Sequence, residues 1–370
     1  MMRPRAVARR VVRAVVRAGL RIPPMRRAVA AELAAGPRPA GVRPPPTTDA
    51  APGRVFVDVH GVEHPLDATL RDRLKPSWRV MCDPVAVAAP PGDDELRRRA
   101  RKAATSVTEM ERALAVVAGG TLTGRVLEIG CYDGAVAYEI ARRAGTEVVA
   151  SDLARYYVVQ RPGQPEDAAV AAQQVALAAL RERAGNVAGA APRSVDFIED
   201  DITTSRLETA SFDLITSFEV LEHVRQPAAA FASMARLLRP GGLMYHDYNP
   251  FFSSNGGHSL VTLDVPWGHA RLGSADVERY LREIRSTEAD QALRFYRESL
   301  NRMTLADLRA AVAGANLELL ALVPWFDRSL LPGLPSQAVD EVRGNYPSAT
   351  IEDLLGTFVT VVARRPVSAG

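Results

Sequence analysis

The sequence predicts an α/β fold built on a mostly parallel sheet, and three observations carry that expectation. An apolar run, Val126-Leu127-Glu128-Ile129, enters a turn holding Gly130 and Gly134. About twenty residues later Val148-Val149-Ala150 closes on Ser151 and Asp152, a second apolar strand ending in a carboxylate. Further apolar runs then alternate with helical stretches as far as residue 363, the rhythm that strand-helix-strand units give a parallel sheet.

The chain of 370 residues exceeds one domain of typical size, so additions to a single core are expected. Residues 1–45 carry eleven arginines against Glu32, a net charge of +10, which leaves −7 on the rest of a chain whose total is +3. Arg5, Arg9, Arg13, Arg17 and Arg21 recur every fourth residue, with Val7, Val11, Val15 and Ile22 across the helix from them. The apolar runs are too short and too often broken by arginine to span a bilayer or form a signal-peptide core. One reading of residues 1–35 is an interfacial helix making peripheral contact with the anionic inner face of a membrane. The other is a disordered tail, or a start at Met25. A Pro-rich linker follows to residue 53. Residues 54–65 read as a hairpin turning at His60-Gly61, and Asp93 to Val117 as a charged helix. The expected division is an arm and linker over 1–53, a hairpin and helical cap over 54–118, and a catalytic domain over 119–370 with an insertion at 247–303.

Glycines at Gly130 and Gly134 let a ligand approach the backbone, the next helix aims its N-terminus there, and Asp152 can accept two ribose hydroxyls. A nicotinamide site would share these features. The downstream order adds more: Phe197 to Ile202 is a third strand ending in acids, Ser211 to Phe218 a fourth, Glu219 to Val224 the opening of a helix, and Leu237-Leu238-Arg239-Pro240-Gly241-Gly242 its close before a strand from Leu243 to His246. Over residues 124–248 this run resembles the class I S-adenosylmethionine-dependent methyltransferases. The resemblance implies a Rossmann-like, seven-stranded sheet with an antiparallel last strand, completed by a helix from Thr304 to Ala313 and strands at Leu317–Val323 and Phe358–Ala363. It implies S-adenosyl-L-methionine as cofactor, with Glu128, Gly130, Cys131, Tyr132 and Gly134 at the methionine end. Asp152 and Leu153 would take the ribose, Asp201 and Ile202 the adenine, and Phe218 with Glu219 would form the floor. Many relatives carry glycine where Tyr132 stands, so Tyr132 is expected to cover the cofactor.

Methyl transfer needs an acceptor held in line with the departing sulfur, and an oxygen acceptor needs its proton removed. His246 and Asp247, where the fifth strand ends, are the expected bases, with His223 on the next-nearest element. The excursion 247–303 is the expected acceptor site, through Tyr248, Asn249, His258 and His269. His223 can equally be a packed histidine that fixes its own turn, and His258 and His269 can serve loop structure. A cation held by His246, Asp247, His258 and His269 matches no ligand spacing, so no metal is expected. Cys82 and Cys131 build neither a disulfide framework nor a zinc cluster, which suits a cytoplasmic setting. The acidic body lacks a basic patch with interleaved aromatics, so no nucleic acid partner is expected. The expected activity is methylation of a hydroxyl on a small-molecule or glycan acceptor, a lipid-linked glycan or secondary metabolite included. An N-methyltransferase of a small metabolite, a cofactor-binding scaffold without transfer and an NAD-linked oxidoreductase stay open beside it.

Overall fold

The computed structural model describes residues 54–67, 69–72, 90–158, 165–190 and 194–367; the basic arm and its linker lie outside them. A hairpin of β1 (Val55–Val57) and β2 (Glu63–Pro65) comes first, then helix α1 (Asp93–Ala118). Next run β3 (Gly124–Ile129), α2 (Ala135–Ala141), β4 (Thr146–Asp152), α3 (Glu166–Ala188), β5 (Val195–Glu199), β6 (Phe212–Phe218), α4 (Pro227–Leu237) and β7 (Leu238–Tyr248). The excursion contains α5 (Ser274–Ile284) and α6 (Ala289–Arg294), and the chain closes with α7 (Leu305–Gly314), β8 (Glu318–Phe326), α8 (Ala338–Asn345) and β9 (Gly356–Arg364).

Seven strands form one sheet in the order β5-β4-β3-β6-β7-β9-β8. All neighbours from β5 to β7 are parallel, and β9 runs antiparallel to both β7 and β8, between which it lies. This is the expected Rossmann-like architecture. Helices cover both faces, which is why the successive residues Val126 and Leu127 of β3 are both buried, one in the core on each side of the sheet. Leu96, Val107, Met110 and Leu114 of α1 pack with α2 on one face, while Phe231 and Met234 of α4 pack with Leu308 of α7 on the other. Acids Asp93, Asp94 and Glu95 sit in the first turn of α1, where the helix dipole favours them. Thr304 caps α7 in a reciprocal box with Asp307.

The excursion is a second body with its own hydrophobic core. Phe251, Phe252, Trp267, Tyr280 and Leu293 pack there against Ala338 and Val342 of α8. Phe56 of the hairpin belongs to this core as well, whereas α1 packs on the sheet. The segment 54–118, expected as one cap, is therefore divided between two cores. Among the described residues no helix is long and apolar enough to cross a membrane.

Candidate functional site

At the carboxyl ends of the parallel strands lies a cleft of about 2780 Å3, bordered by Glu128, Asp152, Ile202, Glu219, His223 and His258 among others. A pocket for one small molecule spans ~300–1,000 Å3, so there is room here for a cofactor and an acceptor side by side.

The cofactor half is shaped by backbone. Gly130 and Gly134 have φ of 71° and 77°, and a Cβ on Gly130 would meet Val220 Cγ2 at 2.4 Å. Both conformation and space exclude a side chain there. Tyr132 takes φ of 43° with a full side chain, the strain that glycine avoids at this place. It is held by Asp152, whose Oδ2 accepts the Tyr132 N–H at 2.5 Å, and by Arg181 of α3, whose Nε donates to the Tyr132 carbonyl at 2.9 Å. The Arg99 guanidinium lies 5.5 Å from the Tyr132 ring centroid and pairs with Asp133 at 3.0 Å. Cys131 is buried, its backbone N–H donating to the Ser151 carbonyl, and burial pushes its thiol well above the usual range. Asp201 and Leu153 border the cleft, Ile202 is buried beneath it, and Phe218 stacks near Tyr245 with centroids 5.7 Å apart. Glu219 has φ of 58°, donates its N–H to the Asp247 carbonyl at 2.6 Å and pairs with Lys102 of α1 at 3.3 Å.

Glu128 supplies the test of fit for an amino acid-like ligand. It is 3% exposed, and its Oε2 has no hydrogen-bond partner among the described residues. Burial, reinforced by Asp133 and Asp152, pushes its carboxyl up to about 8. An acid so placed at the end of β3 suits an incoming ammonium group, and the glycine turn beside it suits a ligand lying against backbone. The residues present thus fit S-adenosylmethionine.

The acceptor half differs from expectation in three places. His246 is wholly buried off the cleft: its Nδ1 pairs with Ser217 Oγ at 2.7 Å and its ring meets Phe231 of α4 edge-on. Strand alternation explains this, because Met244, His246 and Tyr248 share the face beneath α4 and α7 while Tyr245 and Asp247 share the other. Tyr248 is likewise buried at 1% exposure, in the core and not at the acceptor site. Glu219 to His223 is not the start of a helix either. Leu221–His223 is a 3-10 turn, and α4 begins four residues later at Pro227.

That turn delivers His223 to the cleft. Its Nδ1 donates to the Ser299 carbonyl at 2.7 Å, which leaves Nε2 as the proton acceptor. Burial lowers the ring to about 4, partly opposed by the Ser299 carbonyl and by Glu219. Asp247 borders the same space and accepts the Thr360 hydroxyl at 3.0 Å. Asn249 accepts the Ser253 hydroxyl at 2.8 Å and donates its N–H to Glu222 at 3.2 Å. His269 is 1% exposed and bonded to the Phe251 carbonyl at 2.7 Å, a loop-fixing role. The four residues first weighed for a cation do not converge. Glu222, His223 and His258 do, with ligand atoms all within 4.8 Å of one another.

Sequence reasoning missed Glu222, Asn301, Tyr156 and Tyr157. Glu222 is fully buried and pushed up to about 8, chiefly by burial, with one carboxylate oxygen unpartnered among the described residues. An acid adjoining His223 in sequence was its available signal. Asn301 had none: its Nδ2 donates to the Leu221 and Val224 carbonyls at 2.6 and 2.9 Å, and its backbone N–H to the Glu222 carbonyl. One side chain from the excursion thereby satisfies the turn that carries His223.

A seven-stranded sheet in this order, with an acid, a glycine turn and a carboxylate at its ligand edge, is a Rossmann-like architecture with a nucleotide-type site. A sequence model described as a methyltransferase domain matches residues 79–322, and the chain belongs to that family. The chain is similar to the ubiquinone biosynthesis O-methyltransferase of Xanthomonas oryzae pv. oryzae, 35% identical over 122 residues, which are 33% of this chain and 41% of that one. Its counterpart in Neisseria meningitidis is 31% identical over 121 residues, 33% of this chain and 42% of that one. The matches thus span about two fifths of these relatives' length. Among solved structures, an S-adenosylmethionine-dependent methyltransferase from Mesorhizobium loti is 14% identical with a TM-score of 0.40, covering 70% of this chain and 96% of that one. Phosphoethanolamine N-methyltransferase 2 of Haemonchus contortus is 16% identical with a TM-score of 0.39, covering 70% and 52%.

Proposed function

We propose that this chain transfers the methyl group of S-adenosylmethionine to a hydroxyl of a polar acceptor, a sugar or glycan hydroxyl being the leading class and a small secondary metabolite the next. The observation that carries oxygen as the accepting atom is His223, presented to the cleft with Nδ1 committed and Nε2 left to receive a proton. The O-methyltransferase name of the curated relatives supports the same atom. When bound, the cofactor supplies a methyl on a positively charged sulfur, reactive enough that the protein's part is placement and proton removal. Glu128 and the glycine turn hold the cofactor's amino acid end, Asp152 the ribose, and the excursion closes over the acceptor. Asn249, Asn255 and Gln291 on the cleft wall offer hydrogen bonds to a polar acceptor.

A second reading of the proton step rests on Glu222, His223 and His258. A divalent cation held by these groups would lower the acceptor hydroxyl's pKa and make a separate base unnecessary. The test of the activity uses donor with an isotope-labelled methyl in an extract of the host cells. A labelled product whose mass rises by one methylene, with the label on oxygen, is expected. Label on nitrogen moves the chain to the N-methyltransferase reading, and cofactor binding without any labelled product moves it to the scaffold reading.

A further inference from the structure

Asp152 ends β4 with its carboxylate already engaged. Oδ1 accepts the Leu153 N–H at 2.7 Å, and Oδ2 accepts the Tyr132 N–H at 2.5 Å and the Tyr157 hydroxyl at 3.1 Å. A carboxylate offers about four acceptor sites. Three are in use, with the Arg181 guanidinium paired to Oδ2 at 3.7 Å beside them, and a ribose with adjacent hydroxyls needs two. The two amide donors belong to the strand end and the glycine turn and are fixed. Tyr157 instead hangs on a single 3-10 turn, Ala154–Tyr157. Its ring lies 4.9 Å from that of Tyr132 and 5.2 Å from that of Tyr156, on the wall of the cleft.

We propose that Tyr157 is a built-in stand-in for one ribose hydroxyl: in the free protein it occupies the place on Asp152 that the cofactor takes, and it yields on binding. The aromatic contacts keep the displaced ring at the cleft wall. Tyr157 therefore keeps the buried carboxylate satisfied between turnovers and lowers affinity for a cofactor that presents both hydroxyls. A ligand with one hydroxyl can use the remaining site and gains nothing by displacing it.

The inference rests on Asp152 as the ribose carboxylate, and the experiment separates the two. Calorimetry with S-adenosylhomocysteine is run on the wild type, Tyr157→Phe and Asp152→Ala, with circular dichroism to verify folding. Tyr157→Phe should bind roughly 10–100-fold more tightly, the equivalent of one hydrogen bond to a charged acceptor no longer broken on binding. With the 2′-deoxy derivative that gain should vanish. Tyr157→Leu, which removes the hydroxyl with a different shape, should show the same pattern if the phenylalanine variant folds poorly. Unchanged or weaker binding by Tyr157→Phe, or an equal gain for both ligands, overturns the proposal while leaving the ribose site in place. Unchanged binding by Asp152→Ala removes the ribose assignment itself.

Discussion

Replacing Glu128 by glutamine should stabilise the free protein above neutral pH and weaken its hold on the cofactor. In the folded chain burial raises this carboxyl from the ordinary 4.5 to about 8, so between those values the folded state holds a proton that the unfolded state has lost. Stability therefore falls as pH rises through that window, and the difference corresponds to about 5 kcal/mol of stability present at pH 4.5 and lost by pH 8. Glutamine does not ionise, and E128Q should exceed the wild type at pH 8 by up to that amount while matching it closely at pH 5. Binding runs the other way. An ammonium group needs the carboxylate, so wild-type affinity should rise with pH to about 8 and then level, with a proton released that calorimetry detects from its dependence on buffer ionisation heat. The ratio of wild type to E128Q, which cancels the ligand's own titration, should reach roughly 10–100-fold above that point. Urea melts at pH 5 and 8 and titrations in two buffers decide it. A variant no more stable at pH 8, or binding that is equal in both proteins and releases no proton, would refute the reasoning.

Other outcomes follow from the acceptor half. His223→Gln should lower turnover by ~10²–10⁴ with cofactor affinity intact, whereas His246→Leu should leave turnover near wild type and cost roughly 1–3 kcal/mol of stability by orphaning Ser217; kinetics and melts on both variants separate the roles. Dialysis against a chelator should leave activity unchanged if His223 alone takes the proton. A loss of tenfold or more, restored by magnesium or manganese, would instead place a cation at Glu222, His223 and His258. Deleting residues 1–35 should abolish sedimentation with anionic liposomes and spare turnover on a soluble acceptor, and salt should weaken the full-length interaction; equal sedimentation of both proteins would remove the membrane reading.

The cofactor half was legible because its requirements are local. A strand, a glycine turn and a terminal acid are read within a dozen residues, and Gly130, Gly134 and Asp152 stand where that pattern put them. The mostly parallel seven-stranded sheet with its antiparallel last strand followed from the resemblance that the Phe212 to Gly242 phrase carries. The acceptor half was less legible, for two physical reasons. His246 could have been excluded by alternation, since Met244 and Tyr248 flank it on the apolar face of β7. Placing it at a strand end hid that. Asn301 and Ser299 act through contacts to residues nearly eighty positions away, which no sequence period encodes.

The division into two cores bears on how such a site can vary. The excursion buries most of its apolar side chains against α8 and the hairpin, in a core apart from the sheet's, which takes only Tyr248 and Met303 from it. Its ties to the turn that carries His223 include hydrogen bonds, from the ring to the Ser299 carbonyl, from Asn301 to the backbone around it and from the Asn249 N–H to Glu222, beside ring contacts of His258 and Phe295 with His223. Hydrogen bonds of this kind fix orientation strongly while contributing only ~0.5–1.5 kcal/mol each to net stability. Residues of the excursion that face the cleft can therefore change with the acceptor while the tie at 299–301 keeps the imidazole aimed. The cofactor end, which depends on backbone conformation at Gly130, Tyr132 and Gly134, has no such freedom. On the proposed function, exchange of Asn255 or Gln291 on the cleft wall should therefore change acceptor preference while leaving cofactor affinity intact, as measured by competition between acceptors and by calorimetry.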